Sequence, residues 1–555
     1  MKHSGSNASH SSLLDSIVSY DNLQKAWVKA YHHAKTQDIY FDALGYQIFE
    51  VYLETNLRIL ANDIKAGEYR PSPIRYATIP KGESTRKLYF TEPRDSVAIQ
   101  AIINIIGPLF ELEFSEASYG NRLNVDSQES RNTYRRWPDQ YDGYAAKIRS
   151  FLSMGGDAWY LITDIENFYP SINRARLLGI VASYTTDEEV IKLLKAFLDL
   201  SAFDSNDMPE DVPGLPAGTI YAHFLANIYL IEFDRLATRL GKGFVRYVDD
   251  ICILFENEQS LMQGEAILRM HLEQWGNHFK PEKSIRSSIQ EPDQLIEHTR
   301  KLKYAERIDI TEMIDIDSAE FNSIRNAEHY FAALYRIAEQ EGNTERLVKE
   351  AASLAIQLRD IHAENLSELI YSLLESQNLK PSTLKVVLSI LLEEELPSVS
   401  SRFLSIVDAN RPNSSYLRLM ILQLIPLYTP TSTVMQALLR DEFTRDPHYL
   451  VRAGAYIALK YLAEKRVLNL TLTTLSSLRA SETSNYVLAR LVNCYSVVAS
   501  EEVWMPLIRA ASLGSHEVSI SVIFTFDQLL ENGNISPTLL DSIIPALVKP
   551  NDSNK

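Results

Sequence analysis

Residues 244–255 read Phe-Val-Arg-Tyr-Val-Asp-Asp-Ile-Cys-Ile-Leu-Phe. Two runs rich in Val, Ile, Phe and Tyr flank an acidic pair, Asp249 and Asp250. Such runs predict β-strands, and a polar pair between them predicts a tight hairpin with the pair at its tip. A second apolar run, Trp159-Tyr-Leu-Ile-Thr163, ends at Asp164 and predicts another strand closed by a carboxylate. Between them, Gly214-Leu-Pro-Ala-Gly218 predicts a loop, and the apolar stretch to Leu230 predicts a helix. Residues 13–66 are helical in pattern, with Leu23, Trp27, Tyr31 and Leu53, Leu57, Leu60 at helix spacing. Pro71, Pro73 and Pro80 then break the chain into extended pieces. An apolar helix is expected over 94–115, then a polar segment to about 147.

From about residue 315 the strand signals vanish. Short amphipathic helices separated by Ser, Asn, Asp and Pro turns replace them. Tyr416-Leu-Arg418, Tyr449-Leu-Val-Arg452 and Tyr486-Val-Leu-Ala-Arg490 each open an apolar helix, 33 and 37 residues apart. Helix pairs of that period stack into α-solenoids, and His448–Leu459, after Asp446-Pro447, resembles a HEAT repeat. An irregular helical bundle is the alternative. The organisation read from these patterns is a disordered tail over 1–12, an α+β unit over 13–310 and an all-α HEAT-like unit over 315–555.

A length of 555 residues calls for more than one core. No run of eighteen apolar residues occurs, so no membrane span is expected. The polar start, Met1 to Ser12, does not read as a secretory signal. Cys252 and Cys494 lie far apart in sequence and read as buried free thiols of a reducing cytoplasm. The net charge of -17 argues against indiscriminate duplex binding over the whole surface. Locally the sign reverses: from Lys65 to Arg94, seven basic residues face three acidic ones, a balance of +4 suited to phosphates. His362, His448 and His516 read as turn or surface residues.

The chemistry centres on the acids. Adjacent carboxylates repel unless a cation neutralises them, and hard divalent ions such as Mg2+ take carboxylate oxygens together with substrate phosphates. The order strand–Asp164, Gly/Pro loop–helix, Tyr247-Val-Asp-Asp250 resembles the palm of reverse transcriptases. Three further stretches match that family. Arg86-Lys-Leu-Tyr-Phe-Thr-Glu-Pro-Arg-Asp95 resembles the fingers segment that grips the triphosphate. Pro108-Leu-Phe-Glu with Phe114, and Ser118-Tyr-Gly-Asn-Arg122, resemble the stretch ending Ser-Tyr-Gly-Phe-Arg in bacterial and intron enzymes. Lys280-Pro-Glu-Lys-Ser284 resembles motif D.

The resemblance implies roles. Asp164, Asp249 and Asp250 are the expected catalytic acids, with Lys283 protonating pyrophosphate. Asp164, Asp249, Asp250 and the backbone carbonyl of Ile165 are the expected ligands of Mg2+, with Mn2+ as the alternative. Arg86 and Lys87 are expected on the β- and γ-phosphates. Ile165, Phe168, Tyr169, Ala217 and Gly218 are expected round the nucleotide, with the Tyr169 ring beneath the sugar. A palm joined to helical repeats is similar to the bacterial abortive-infection reverse transcriptases, the AbiK-like group. That likeness implies an antiphage role, dNTPs as substrates, a single-stranded DNA product attached to the protein, a homo-oligomer and a bacterial cytoplasmic location. Two departures bear on it. The family's Pro-Gln-Gly reads Pro216-Ala217-Gly218, and its Ser-Pro six residues on reads Ala222-His223. The lost glutamine helps monitor a templating pair, which fits synthesis without a template. A templated reverse transcriptase and an inert palm serving as a binding scaffold are the alternatives.

Overall fold

The computed structural model describes residues 13–291 apart from 38–42, 82–83, 126–129, 155–156 and 186. It also describes 405–408, 414–428, 433–498, 516–531 and the single positions Leu295, Leu374, Leu384, Leu388 and Leu507. The expected tail over 1–12 and His362 lie outside the described residues.

The first helices are α1 (Leu13–Ile17), α2 (Tyr20–Thr36), α3 (Ala43–Val51) and α4 (Leu53–Lys65). Ser19 caps α2 by accepting from the Asn22 amide. The expected extended pieces form a hairpin of β1 (Ile74–Lys81) and β2 (Ser84–Phe90). Helix α5 (Pro93–Glu111) starts on a proline, whose fixed φ suits a first turn. It is buried along most of its length against α2.

Then come β3 (Ser118–Tyr119), α6 (Trp137–Leu152), β4 (Trp159–Asp164), α7 (Phe168–Ser171), α8 (Arg174–Tyr184) and α9 (Glu188–Leu198). Next are β5 (Ser201–Phe203), β6 (Pro209–Asp211), α10 (Ile220–Tyr229) and α11 (Ile231–Leu240). The unit ends with β7 (Gly243–Tyr247), β8 (Asp250–Phe255), α12 (Glu258–Glu273) and β9 (Ile285–Ser288). Part of the segment read as polar is helical. α6 buries Tyr144, Ile148 and Phe151, whose spacing makes one apolar face. The pair β5–β6 escaped the sequence reading because each strand has only three residues.

Two sheets result. One runs β2-β1-β5-β6, the other β3-β7-β8-β4-β9. In the second, Ile251, Ile253 and Phe255 face one core with α5, α10 and α12, while Cys252 and Leu254 face another with α6. Alternation along a strand buried on both faces explains the unbroken apolar run. Both cysteines are free and buried.

Among the described residues from 405 onward there are helices and connecting segments and no β-strand. Helices span Ser414–Tyr428, Tyr449–Glu464, Leu472–Ser481, Asn485–Asn493 and His516–Glu531, so the three tyrosine-led segments do open helices. His448 caps one of them, its Nδ1 accepting from the Leu450 amide at 3.3 Å. This helical region packs on the β1–β2 hairpin: Ala77 and Ile79 belong to its core, with Leu88 and Phe90 against it. Arg75 is the polar centre of the contact. It is 7% exposed, pairs with Glu92, and lies 4.1 Å from the Tyr486 ring and 5.1 Å from Phe203. The Ser484 hydroxyl donates to Asp207 at 2.7 Å, and Tyr52 donates to Asp527.

Removing a buried ion-pair partner costs about 3–5 kcal/mol. Arg75→Ala is therefore expected to lower Tm and to speed amide exchange in β1 and in Asn485–Asn493, while β4 and β8 keep wild-type protection. Unchanged exchange at both places would show that the stack holds nothing together.

Candidate active site

The three acids lie at one end of the five-stranded sheet. Antiparallel register pairs Asp164 of β4 with Asp250 of β8, and Tyr247 of β7 with Asp250. Directly opposed residues leave a sheet on the same face. The turn therefore comprises Val248 and Asp249, one residue earlier than the acidic pair suggested. Val248 adopts φ 57°, a left-handed conformation costly for a β-branched residue.

Arg246 holds that strained turn. Its Nη1 donates to the Val248 carbonyl at 2.7 Å and to Asn227 Oδ1 at 3.2 Å. Nε and Nη2 form a fork on Asp234 at 2.8 and 2.7 Å, and Nη2 also donates to the Ser118 hydroxyl at 2.6 Å. All five guanidinium N–H donors are thus used. Asn227 in turn donates to the Gly120 and Asn121 carbonyls, both at 3.1 Å.

Crowding of like charges is visible at Asp249. Burial raises its carboxyl first, and the charges of Asp164 and Asp250 add, taking it to about 7. Asp164 is 5% exposed; one oxygen pairs with the Lys283 ammonium and the other, Oδ1, is buried with no hydrogen-bond partner. Burial works against the Lys283 charge, but the bond to Asp164 and the charges of Asp164, Asp250 and Asp249 outweigh it and raise the ammonium above its ordinary value. Ile165 is 1% exposed and bridges Phe279 through its neighbours, Lys280 N–H to Asp164 O at 2.8 Å and Glu166 N–H to His278 O at 2.9 Å. In such a pair the central residue's own C=O points away from the partner segment. Among the described residues no three His, Cys, Asp or Glu side chains gather on one point. The site offers two carboxylates with an orphaned oxygen, a hard-oxygen set that fits Mg2+ completed by phosphate and water.

The remaining residues divide. Gly214 and Gly218 both have positive φ, and a Cβ on Gly214 would lie 2.1 Å from the Tyr169 carbonyl. That close approach lets the Leu215 amide bond the Tyr169 carbonyl at 2.8 Å, while Ala217 O accepts from the Tyr89 amide at 2.8 Å. The Tyr169 hydroxyl lies 2.7 Å from His223 Nδ1. Phe168 is 3% exposed and packs in the core, so only its backbone is available to a nucleotide. Arg86 and Lys87 point to opposite faces of β2. Lys87 pairs with Glu210 beneath Tyr76, whereas the Arg86 charge acts on His223. The structure thus does not bring Arg86 and Lys87 together. The sequence reading missed Arg246, Asp234, Asn227 and His33, whose Nε2 lies 3.5 Å from the Gly218 carbonyl. A charged residue inside an apolar strand was the available signal for Arg246.

Residues 80–305 match the family model described as Reverse transcriptase (RNA-dependent DNA polymerase). That stretch, which holds the five-stranded sheet and the three acids, is similar to a reverse transcriptase domain. The Group II intron-encoded protein LtrA of Lactococcus lactis subsp. cremoris is 24% identical over 246 residues, 41% of this chain and 38% of LtrA. Protein YkfC of Escherichia coli (strain K12) is 24% identical over 198 residues, 35% of this chain and 48% of YkfC. The chain thus spans less than half the length of these relatives. Among solved structures, a partial Cas6-RT-Cas1–Cas2 complex overlaps 48% of this chain and 43% of its own at 18% identity and TM-score 0.29. Telomerase from Candida tropicalis with a telomeric RNA fragment overlaps 68% and 66% at 12% identity and TM-score 0.32. Overlaps that loose support no assignment of residues.

Two outcomes test this geometry. A carboxyl raised to about 7 keeps, in the fold, a proton that the unfolded chain releases near pH 4. Stability without metal should therefore fall as pH rises from about 4 to about 7 and stay low above that. In EDTA, wild-type Tm should drop between pH 5 and pH 8; Asp249→Asn should flatten the drop, and Mg2+ should reverse it in wild type only. Arg246→Met should cost about 3–5 kcal/mol by stranding Asp234. Adding Asp234→Leu should restore Tm in denaturation scans but leave the Val248 carbonyl without its donor and the site impaired.

Proposed function

We propose that the chain is a DNA polymerase that extends DNA from dNTPs at Asp164 and Asp249, without a template and primed on the protein itself, in antiphage defence. The observation that carries the polymerase reading is the pairing of Asp164 with Asp250 beside a strained Val248-Asp249 turn, where buried carboxyls repel one another. Asp164, Asp249 and the Ile165 carbonyl would hold Mg2+, with Asp250 tuning the charge from the adjoining strand position. Bound there, two Mg2+ ions would supply charge stabilisation for the attacking and leaving oxygens.

The residues have separable tasks. A 3'-hydroxyl, or a protein hydroxyl at initiation, forms a bond to the α-phosphorus of the dNTP as the bond to pyrophosphate breaks. The hydroxyl proton leaves to solvent, and Lys283, now on Asp164, donates a proton to the departing pyrophosphate. Arg86 neutralises phosphate charge, and Tyr169 lies beneath the sugar. Template independence is supported by Ala217 in place of glutamine. The helical region against the fingers hairpin supports the abortive-infection reading. HEAT-like repeats and self-association belong to the same proposal. A templated reverse transcriptase is the second reading, supported by the match of residues 80–305 to a family described as RNA-dependent DNA polymerases.

Asp249→Asn is expected to abolish incorporation of labelled dNTPs while the circular dichroism spectrum stays wild type; incorporation at the wild-type rate would remove the two-metal assignment. For priming, mass spectrometry of nuclease-trimmed protein should find a nucleotide on one tyrosine or serine. DNA that separates from the protein in denaturant, complementary to a copurifying RNA, would favour the templated reading.

A further inference from the structure

We propose that His223 is a positioning residue that locks the Tyr169 ring and thereby sets whether the nucleotide site accepts deoxyribose or ribose. The proposal rests on the nucleotide reading above and goes beyond it to a residue that reading does not use. The geometry is a closed triangle. Tyr169 Oη lies 2.7 Å from His223 Nδ1, and Asn121 Nδ2 lies 3.4 Å from both atoms. An amide N–H only donates, so Asn121 donates to the Tyr169 oxygen, and its approach to Nδ1 at 3.4 Å excludes a proton there, leaving the single Nδ1 lone pair to the shorter contact. The Tyr169 proton is then left to donate to Nδ1, and the imidazole proton sits on Nε2.

Protonation states agree with that direction. Burial first, and then the charges of His33 and Arg86, pull His223 down to about 4, so the ring is neutral near pH 7. Burial and the nearby Asp249 charge raise the Tyr169 hydroxyl, keeping its proton in place. Asn121 adopts φ 53°, and Asn227 fixes its carbonyl. The His223 ring stands edge-on to both Tyr169 and Tyr134, at 5.6 and 5.9 Å between centroids. Asn121 and His223 occupy the positions where the family resemblance expects Phe and Pro, neither of which could bond the tyrosine. A ring free to tilt makes room for a 2'-hydroxyl; a ring tied at its oxygen does not.

The test uses the full-length protein with Mg2+ and the α,β-imido analogues of dATP and ATP, which bind without transfer. Titration calorimetry should show wild type preferring the deoxy analogue. Tyr169→Phe keeps the ring and removes the bond; His223→Ala removes the acceptor. Each should reduce the preference about fivefold to tenfold, the scale of one buried hydrogen bond. The double variant should lose no more than either single one. His223→Asn, which returns an acceptor oxygen near the Nδ1 position, should recover much of the preference. Single variants with the wild-type preference, or a double variant with additive losses, would overturn the lock alone. A wild-type protein that binds both sugars equally would also overturn the lock alone. A wild-type protein that binds neither analogue would overturn the nucleotide reading and the lock with it.

Discussion

The buried guanidinium of Arg246 is the constraint on which the acidic site depends. It is fully buried, and its partner Asp234 is 1% exposed. Burying such a pair is favourable only when every donor and acceptor is satisfied. Here five donors reach Asp234 on α11, Asn227 on α10, Ser118 on β3 and the Val248 carbonyl in the turn. One side chain thus joins the loop-helix segment, the sheet edge and the acidic hairpin. Val248 pays for the network with a left-handed backbone, and that conformation directs Asp249 into the site. A lysine, with a single nitrogen and no planar fork, could not satisfy the same set.

Around this hub the chain concentrates negative charge and tolerates it. Asp164 has one oxygen on Lys283 and one orphaned, and Asp249 is driven towards neutrality by burial first and then by its charged neighbours. Such an arrangement, unfavourable alone, would be relieved by a bound cation. The net charge of the whole chain is irrelevant to this, because fields at such a site are set over a few ångströms.

The layers outside the palm sheet are less ordinary. Helix α2 brings His33 to the Gly218 carbonyl, and the C-terminal helices clasp the β1–β2 hairpin through Arg75, Tyr486, Ala77 and Ile79. The hairpin is thus pinned from two sides, by the Tyr89–Ala217 backbone bond and by the helical region. Its alternation also explains why Lys87 and Arg86 do different things: one pairs with Glu210, and the charge of the other acts on His223.

The sequence by itself determined the local elements and the acids. Period-two and period-3.6 patterning marked β4, β7, β8, α5 and α10, and the Tyr-Val-Asp-Asp and strand-Asp signals marked Asp164, Asp249 and Asp250. These are legible because strand composition, turn chemistry and charge repulsion act between near neighbours. The helices opening near Tyr416, Tyr449 and Tyr486 were legible for the same reason. What only the tertiary structure decided are contacts across long separations. Asp164 meets Asp250 through register. Arg246 gathers Ser118, Asn227 and Asp234, and Asn121 and Tyr169 converge on His223. The one-residue shift of the turn onto Val248 also belongs here, since a β-branched residue is an unfavourable choice for positive φ and only the Arg246 network makes it tenable. Residue type and spacing carry no record of which distant donors a buried guanidinium or imidazole will find; packing supplies it.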